Sequence, residues 1–323
     1  MSTSAEMTRN LSWERPIVCG RVHKTSVGEV FITDTEAVGP DRLIMAGELP
    51  RSHYYFNDTD GFPPRIDVMP LLEVCRQGCY LLASHRQAPD DAKYVLRSID
   101  ARIDDDALDA RYAKPQRLLI DCEIVRVFER GGVARGMEAR VTIETDDGAP
   151  LAIAHESFSW MSPAAWEQLR QRNRDDHGLP RRPTDYRPSI DALDAPAIGR
   201  ECQRNVVIGT VSRQDGAFRA GVAAEVMHPG LFDHYDDHVP GMVQLEACRQ
   251  LATWGAAETL GTPAHGVAIA EMATGFTAVG ELDLDMLATA TVLSDDAGAA
   301  RLAVELSQAG ACLCRSEISA VPR

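Results

Sequence analysis

The sequence predicts an α+β protein of two similar domains, each an antiparallel sheet wrapped around one central helix. Three observations lead there. Leu71-Leu72-Glu73-Val74-Cys75-Arg76-Gln77 returns as Gln244-Leu245-Glu246-Ala247-Cys248-Arg249-Gln250, with leucine, glutamate, cysteine, arginine and glutamine in register, so the chain is a tandem duplication. Each copy has the same order of segments: two strand-like runs, a long apolar helical segment, then several strands. The 323 residues suit two domains of roughly 150.

In the first copy, Gly28–Thr33 and Leu43–Leu49 have strand character and are separated by the turn signal Gly39-Pro40-Asp41. Val68 to Ser84 is apolar on nearly every side except at Glu73, Arg76 and Gln77, which predicts a helix enclosed by its own domain. Asp67 suits its N-cap, and Pro70 is tolerated in the first turn. Strands are expected at Tyr94–Ile103, Arg117–Phe128, Glu138–Thr145 and Leu151–Trp160, with a hairpin at Asp146-Asp147-Gly148. The second copy repeats the order, with strands near Asn205–Thr210 and Ala217–Val226 and a helix from Gly241 to about Leu260. Strands follow near Val267–Ala278, Leu282–Leu293, Arg301–Gln308 and Cys312–Val321. The expected domains are 17–163 and 190–323, joined by an Arg/Pro-rich linker over 164–189. That linker opens with a short helix at Pro163–Gln171, capped by Ser162, and its arginines from Arg170 to Arg187 are expected in solvent, where they could dock an acidic carrier protein.

Hydrophobic residues make up 45% and charged residues 25%, as in an ordinary folded protein. The formal charge of −15 excludes a general affinity for nucleic acid or anionic membrane, because such surfaces repel an acidic partner. Eight cysteines without CxxC spacing suggest neither a disulfide scaffold nor structural zinc, and the Cys312/Cys314 pair is expected to share one face of a strand in the core. Met1 to Pro16 lacks the pattern of a signal peptide, and no apolar run approaches the ~20 residues of a membrane span, so a cytoplasmic location is expected.

A glutamate and an arginine three apart on an otherwise apolar helix project from the same side. Buried charges are costly, so their recurrence in both copies requires mutual pairing or chemistry. The order strand–strand–helix–strands with a helical glutamate is that of the hotdog fold. His238-Val239-Pro240-Gly241-Met242-Val243-Gln244-Leu245-Glu246-Ala247 resembles the proline-glycine helix entry of hydroxyacyl-ACP dehydratases. The duplicated Glu-x-x-Arg-Gln, the stretch from Leu231 to Met242 and Val22-His23-Lys24 together resemble the A-factor synthase family of γ-butyrolactone and butenolide signal biosynthesis, over about Ile17 to Val321.

That resemblance implies a tandem double hotdog and an acyltransferase. It would condense a β-ketoacyl-ACP thioester with dihydroxyacetone phosphate to give a butenolide phosphate precursor, with acyl carrier protein as partner and no cofactor or metal. It points to Glu246, Arg249 and Glu73 as catalytic positions, with Arg76 as the fourth counterpart. Glu246 would act as base, helix-start N–H groups near Gly241 as oxyanion donors, and Arg249 as its partner or as a holder of the acceptor's phosphate. Arg76, Gly241, Gln77 and Gln250 are the expected substrate-binding positions. His234 and His238 flank the helix entry, where an acid–base role and a capping role both fit; Asp233, Asp236 and Asp237 beside them leave a metal cluster to be considered. Cys75 and Cys248 are expected to pack as small hydrophobes. The first copy has Asp67-Val68 in place of Pro240-Gly241, which singles out the second copy as the working one. A hotdog dehydratase or thioesterase, or a non-catalytic acyl-binding regulator, are the rival readings. Two such domains in one chain already mimic the common hotdog dimer, and pairing into a homodimer stays open.

Overall fold

A computed structural model describes residues 10–58, 63–183, 190–223 and 225–323. The chain forms two compact units, one of residues up to Ser52 with Pro63–Pro163, the other of the 53–62 segment with Ala164–Arg323.

The first unit contains β1 (Ile32–Gly39), β2 (Arg42–Leu49), helix α1 (Val68–His85), β3 (Lys93–Ile103), β4 (Gln116–Arg130), β5 (Val133–Thr145) and β6 (Pro150–Met161). Its strands lie in the order β1-β2-β4-β5-β6-β3, each neighbour antiparallel. α1 packs against all six strands. Asp67 caps it as expected, its side chain accepting from the Met69 N–H at 3.0 Å. Leu71, Leu72, Val74, Leu81 and Leu82 are fully buried, each stabilising the unit by about 1.5–3 kcal/mol relative to exposure.

The second unit contains β7 (Ser212–Gln214), β8 (Ala217–Val222), helix α3 (Gly241–Leu260), β9 (Val267–Phe276), β10 (Met286–Ser294), β11 (Ala300–Gln308) and β12 (Ala311–Pro322), and helix α2 (Pro163–Asp176) precedes them. Its strand order, β7-β8-β10-β11-β12-β9, is the first unit's order with matching roles. α3 packs against β8 to β12. Each half is therefore an antiparallel sheet around one buried helix. Among the described residues no helix is long and apolar enough to cross a membrane.

Four expectations need correction. The runs Gly28–Thr33 and Asn205–Thr210 are mostly not strand: each begins in a single 3₁₀ turn (Val27–Glu29 and Gln203–Asn205) that starts just before it and continues as an extended stretch whose backbone bonds to the helix. Gln77 Oε1 accepts from Phe31 N and Gln250 Oε1 from Val207 N, both at 2.9 Å, so a side-chain amide replaces the ladder partner. β1 instead begins at Ile32 and runs through the polar Asp34-Thr35-Glu36. Cys312 and Cys314 do not share a face, because the β11–β12 register shifts between Leu306 and Ser307; Cys314 is buried at 4.0 Å from Cys248, and Cys312 is half-buried.

The largest correction concerns the linker arginines. α2 runs to Asp176, and Arg170 and Arg174 are buried rather than solvated. Arg170 reaches Glu281 Oε2 at 2.7 Å, while Arg174 pairs with Glu281 at 2.6 Å and Asp283 at 2.6 Å. Glu281 and Asp283 lie more than a hundred residues away, and Asp237, which also pairs with Arg170, lies 67 away, so nothing local in the sequence announced the burial. Arg172, Arg181 and Arg182 are exposed as expected, and Arg187 lies outside the described residues.

Gly255, in the middle of α3, illustrates how tightly the second sheet closes. A Cβ there would stand 2.8 Å from Leu302 Cδ2 and 2.9 Å from Phe218 Cδ2. Glycine to alanine in a helix normally gains about 1 kcal/mol in propensity, whereas overpacking costs about 1–3 kcal/mol. Gly255→Ala is therefore expected to destabilise the protein by about 1 kcal/mol net, read as a lower urea midpoint; an unchanged or higher midpoint would show that Leu302 and Phe218 yield freely.

Candidate functional site

In both units the helical glutamate is completely buried and faces two cations. Glu246 Oε1 accepts from Arg249 Nη2 at 2.8 Å, Arg200 Nη2 at 2.7 Å and Gln250 Nε2 at 2.5 Å; Oε2 accepts from Arg249 Nε at 2.8 Å and from the Tyr55 hydroxyl at 2.8 Å. Glu73 Oε1 accepts from Arg76 Nη2 at 2.7 Å and Gln77 Nε2 at 2.8 Å and lies 3.2 Å from Lys24 Nζ; Oε2 accepts from Arg76 Nε at 2.8 Å. Each box thus holds one carboxylate and two cations, and carries one net positive charge.

Burial by itself would raise these carboxyl pKa values, but the adjacent cations overcome it. Arg76 and Lys24 hold Glu73 down at about 2, and Arg200 and Arg249 hold Glu246 well below the usual carboxylate range. A carboxylate that already accepts on both oxygens, and whose ionised form is so favoured, binds a proton weakly. In this geometry Glu246 and Glu73 are each ionised and paired with an arginine of their own helix. Gln77 and Gln250 are likewise occupied: each amide donates to the glutamate and to a backbone carbonyl, Glu29 O or Asn205 O at 2.7 Å, and accepts from a backbone N–H. Both ends of each amide are thus held within the protein, tying the helix to the preceding extended segment.

The second cations, Lys24 and Arg200, were not singled out as site residues from the sequence. They arrive by the same local device. A 3₁₀ turn, Cys19–Val22 or Ala195–Ile198, ends on a left-handed residue, His23 at φ 56° or Gly199 at φ 68°, and the next residue is the cation. Five residues further on, Glu29 or Asn205 offers its carbonyl to the helical glutamine. Val22-His23-Lys24 therefore has a counterpart in Ile198-Gly199-Arg200, a repeat hidden because only the spacing is kept.

The two boxes differ in how they are closed. Tyr55 is fully buried, donates to Glu246, stacks its ring 4.7 Å from the Arg200 guanidinium and accepts from Arg200 Nη1 on its backbone oxygen at 2.6 Å. Burial, followed by the Glu246 charge, pushes its hydroxyl pKa well up, so it stays a donor. The segment is pinned by Asp58, which accepts from Glu201 N and Cys202 N and from Asn205 Nδ2. In the first unit Arg76 lies over the Tyr80 ring at 5.1 Å, and His23 stacks on that ring at 5.3 Å.

At the entry to α3 the residues expected from sequence come together more selectively. Pro240 occupies the N-cap position, no side chain caps the helix, and Gly241 and Met242 are half-buried. This is unlike α1, whose Asp67 caps the start among buried residues. His238 Nδ1 lies 2.8 Å from Asp237 Oδ1, and its ring meets Trp166 edge-on at 5.3 Å. Burial opposes ionisation of Asp237, but bonding to His238 and the Arg170 charge bring its pKa to about 2. Its second oxygen accepts from Arg170 Nε at 3.3 Å. An ionised acceptor at Nδ1 assigns the proton to that nitrogen and leaves the Nε2 lone pair for chemistry. His234 is held within its own loop, 3.4 Å from Asp233 and 3.7 Å from Asp236. Gln244, also unforeseen, donates to Val239 O at 3.2 Å, while its buried Oε1 lacks a hydrogen-bond partner among the described residues.

Comparison with known proteins agrees with this architecture. Relatives include proteins named 2-oxo-3-(phosphooxy)propyl 3-oxoalkanoate synthase from Streptomyces virginiae, 29% identical over 72% of this chain and 74% of the relative, and from Streptomyces coelicolor, 28% identical over 73% and 71%. Among solved structures, an acyl-ACP thioesterase from Bacteroides thetaiotaomicron is 11% identical, with 86% of this chain and 97% of that chain covered and a TM-score of 0.50. The 12:0-ACP thioesterase from Umbellularia californica is 12% identical, with 87% and 94% covered and a TM-score of 0.50; both likenesses concern the fold alone. The sequence profile of the A-factor biosynthesis hotdog domain matches residues 6–161 and 182–322, both halves of the chain. With two antiparallel sheets each closed on a buried helix and that profile spanning both, the chain belongs to the A-factor biosynthesis hotdog domain family.

Proposed function

We propose that this protein transfers a β-ketoacyl group from an acyl-carrier-protein thioester to the hydroxyl of dihydroxyacetone phosphate. The observation that carries the substrate assignment is family membership, together with relatives named for synthesis of the 2-oxo-3-(phosphooxy)propyl ester of a 3-oxoalkanoate. The hydroxyl oxygen attacks the thioester carbon, the C–S bond breaks, and the proton from the hydroxyl ends on the departing thiol. The ester then closes by intramolecular condensation to a butenolide phosphate.

The second unit supports a division of labour. His238, oriented by Asp237, takes the hydroxyl proton at Nε2 and returns it to the thiolate. The uncapped N–H groups at Gly241 and Met242 stabilise the oxyanion, aided by the positive end of the α3 dipole. Glu246 keeps Arg249 and Arg200 fixed, and the net positive charge of the box favours the acceptor's phosphate and the charge of the transition state. His234 contributes to the shape of the entry loop. In the first unit, Glu73, Arg76 and Lys24 preserve the box; position 65, in register with His238, is Arg65.

The expected result in a direct assay is consumption of a β-ketoacyl thioester that requires dihydroxyacetone phosphate and yields the phosphorylated ester by mass spectrometry. Equal consumption without the acceptor would make the protein a thioesterase or dehydratase. Saturable binding with no consumption would make it an acyl-binding regulator.

A further inference from the structure

One group of side chains serves neither box, and it lies inside the first unit. Cys75 and Cys79 stand four apart on α1, hence on one face, and Glu156 reaches them from β6. All three are buried, and one ligand atom from each lies within 4.8 Å of the other two. Cys75 Sγ is 3.9 Å from Glu156 Oε2, and the Cys122 thiol on β4 neighbours that of Cys79.

Such a cluster is not needed for packing. In register, the second copy has Cys248 for Cys75 but Ala252 for Cys79, and Cys248 simply meets Cys314 at 4.0 Å. The first copy has instead a second thiol and a carboxyl. Thiols are weak hydrogen-bond donors and the Arg76 charge acts on Glu156 without a direct hydrogen bond, so the desolvation of this carboxyl is offset only in part. A bound cation would account for all three groups at once.

We propose that Cys75, Cys79 and Glu156 bind one zinc ion or another thiophilic divalent cation. Tetrahedral zinc, with Zn–S about 2.3 Å and Zn–O about 2.0–2.2 Å, places neighbouring ligand atoms roughly 3.5–3.8 Å apart. From at most 4.8 Å the observed spacings need to close by about 1.3 Å or less, and Cys122 stands beside Cys79 as a fourth donor. Binding releases the thiol protons to solvent and leaves two thiolates and one carboxylate around the dication. The Arg76 charge, which acts on Glu156, offsets the remaining negative charge. The ion would tie α1, the helix carrying Glu73 and Arg76, to the sheet. The sequence hid this site because C-x₃-C on a helix is not a zinc-finger spacing and the third ligand lies 77 residues beyond Cys79.

The test uses the full chain, reduced and loaded with Co²⁺. The expected result is a thiolate-to-cobalt charge-transfer absorption at one ion per chain, displaced by Zn²⁺. Cys79→Ala introduces the residue the second copy carries, so it should keep the circular dichroism and lose the band. Glu156→Gln should weaken cobalt binding by roughly tenfold or more, and Cys19→Ala, a half-buried thiol elsewhere, should leave it unchanged. Absence of the band in the loaded wild-type chain, or its undiminished survival in folded Cys79→Ala, would overturn the site.

Discussion

Glu246→Gln is expected to lower the unfolding free energy by about 3–5 kcal/mol, the cost of leaving buried charge uncompensated. Arg200 and Arg249 are both almost fully buried and both turn their donor forks on this one carboxylate. An amide keeps the size but offers a single acceptor oxygen and no charge. If Glu246 were instead a simple base, the same substitution would leave stability intact and remove only turnover, so urea unfolding and transfer rate measured side by side separate the two. Adding Arg249→Met to Glu246→Gln should recover part of the lost stability, since it removes one of the stranded cations.

The acid limb of the stability curve carries the same information. The folded pKa of Glu246 lies below its ordinary value of 4.5, because Arg200 and Arg249 outweigh burial. The unfolded chain therefore binds the proton first on acidification. The stabilisation from Glu246 is fully present above about pH 4.5 and is lost as pH falls through the folded value. Wild-type protein should lose stability below that pH more steeply than Glu246→Gln, in which this carboxyl no longer titrates. Parallel slopes for the two proteins would mean that the carboxylate is not held by its cations.

The largest kinetic effect is expected at His238. Removing a general base typically costs 10²–10⁴-fold, so His238→Gln should reduce acyl transfer by that order while circular dichroism and the urea midpoint change little, the side chain being partly exposed. Asp237→Asn should follow it in the same direction, because an amide no longer fixes the proton on Nδ1. His234→Gln, whose ring is held by Asp233 and Asp236, should retain most activity. A fully active His238→Gln would remove the entry histidine from the chemistry and return the search for the base to the two boxes.

Much of the fold was legible because its signals are local. The in-register repeat, the apolar stretches of α1 and α3, the Asp67 cap and most strands of both sheets follow from periodicity and turn residues a few positions apart. The family relationship rested on the same short motifs. The positions of Glu73, Arg76, Glu246 and Arg249 were also legible, since three-residue spacing on a helix dictates that they pair.

What the glutamates do was decided only in three dimensions. Lys24 and Arg200 reach them from turns roughly fifty residues away, and Tyr55 closes on Glu246 from 191 residues away. Those contacts give each glutamate a second cation, and Glu246 a tyrosine hydroxyl as well, that the helix alone does not supply. Arg170 and Arg174 show the same limit, for their composition announces a solvated linker while Glu281 and Asp283 make burial tolerable. By itself the sequence determined which segments become helix and strand and that each copy carries a paired Glu and Arg. The tertiary structure alone decided which charges meet, because a charge is acceptable in a low-dielectric interior only when a partner arrives, and the partner's place in the chain leaves no local trace.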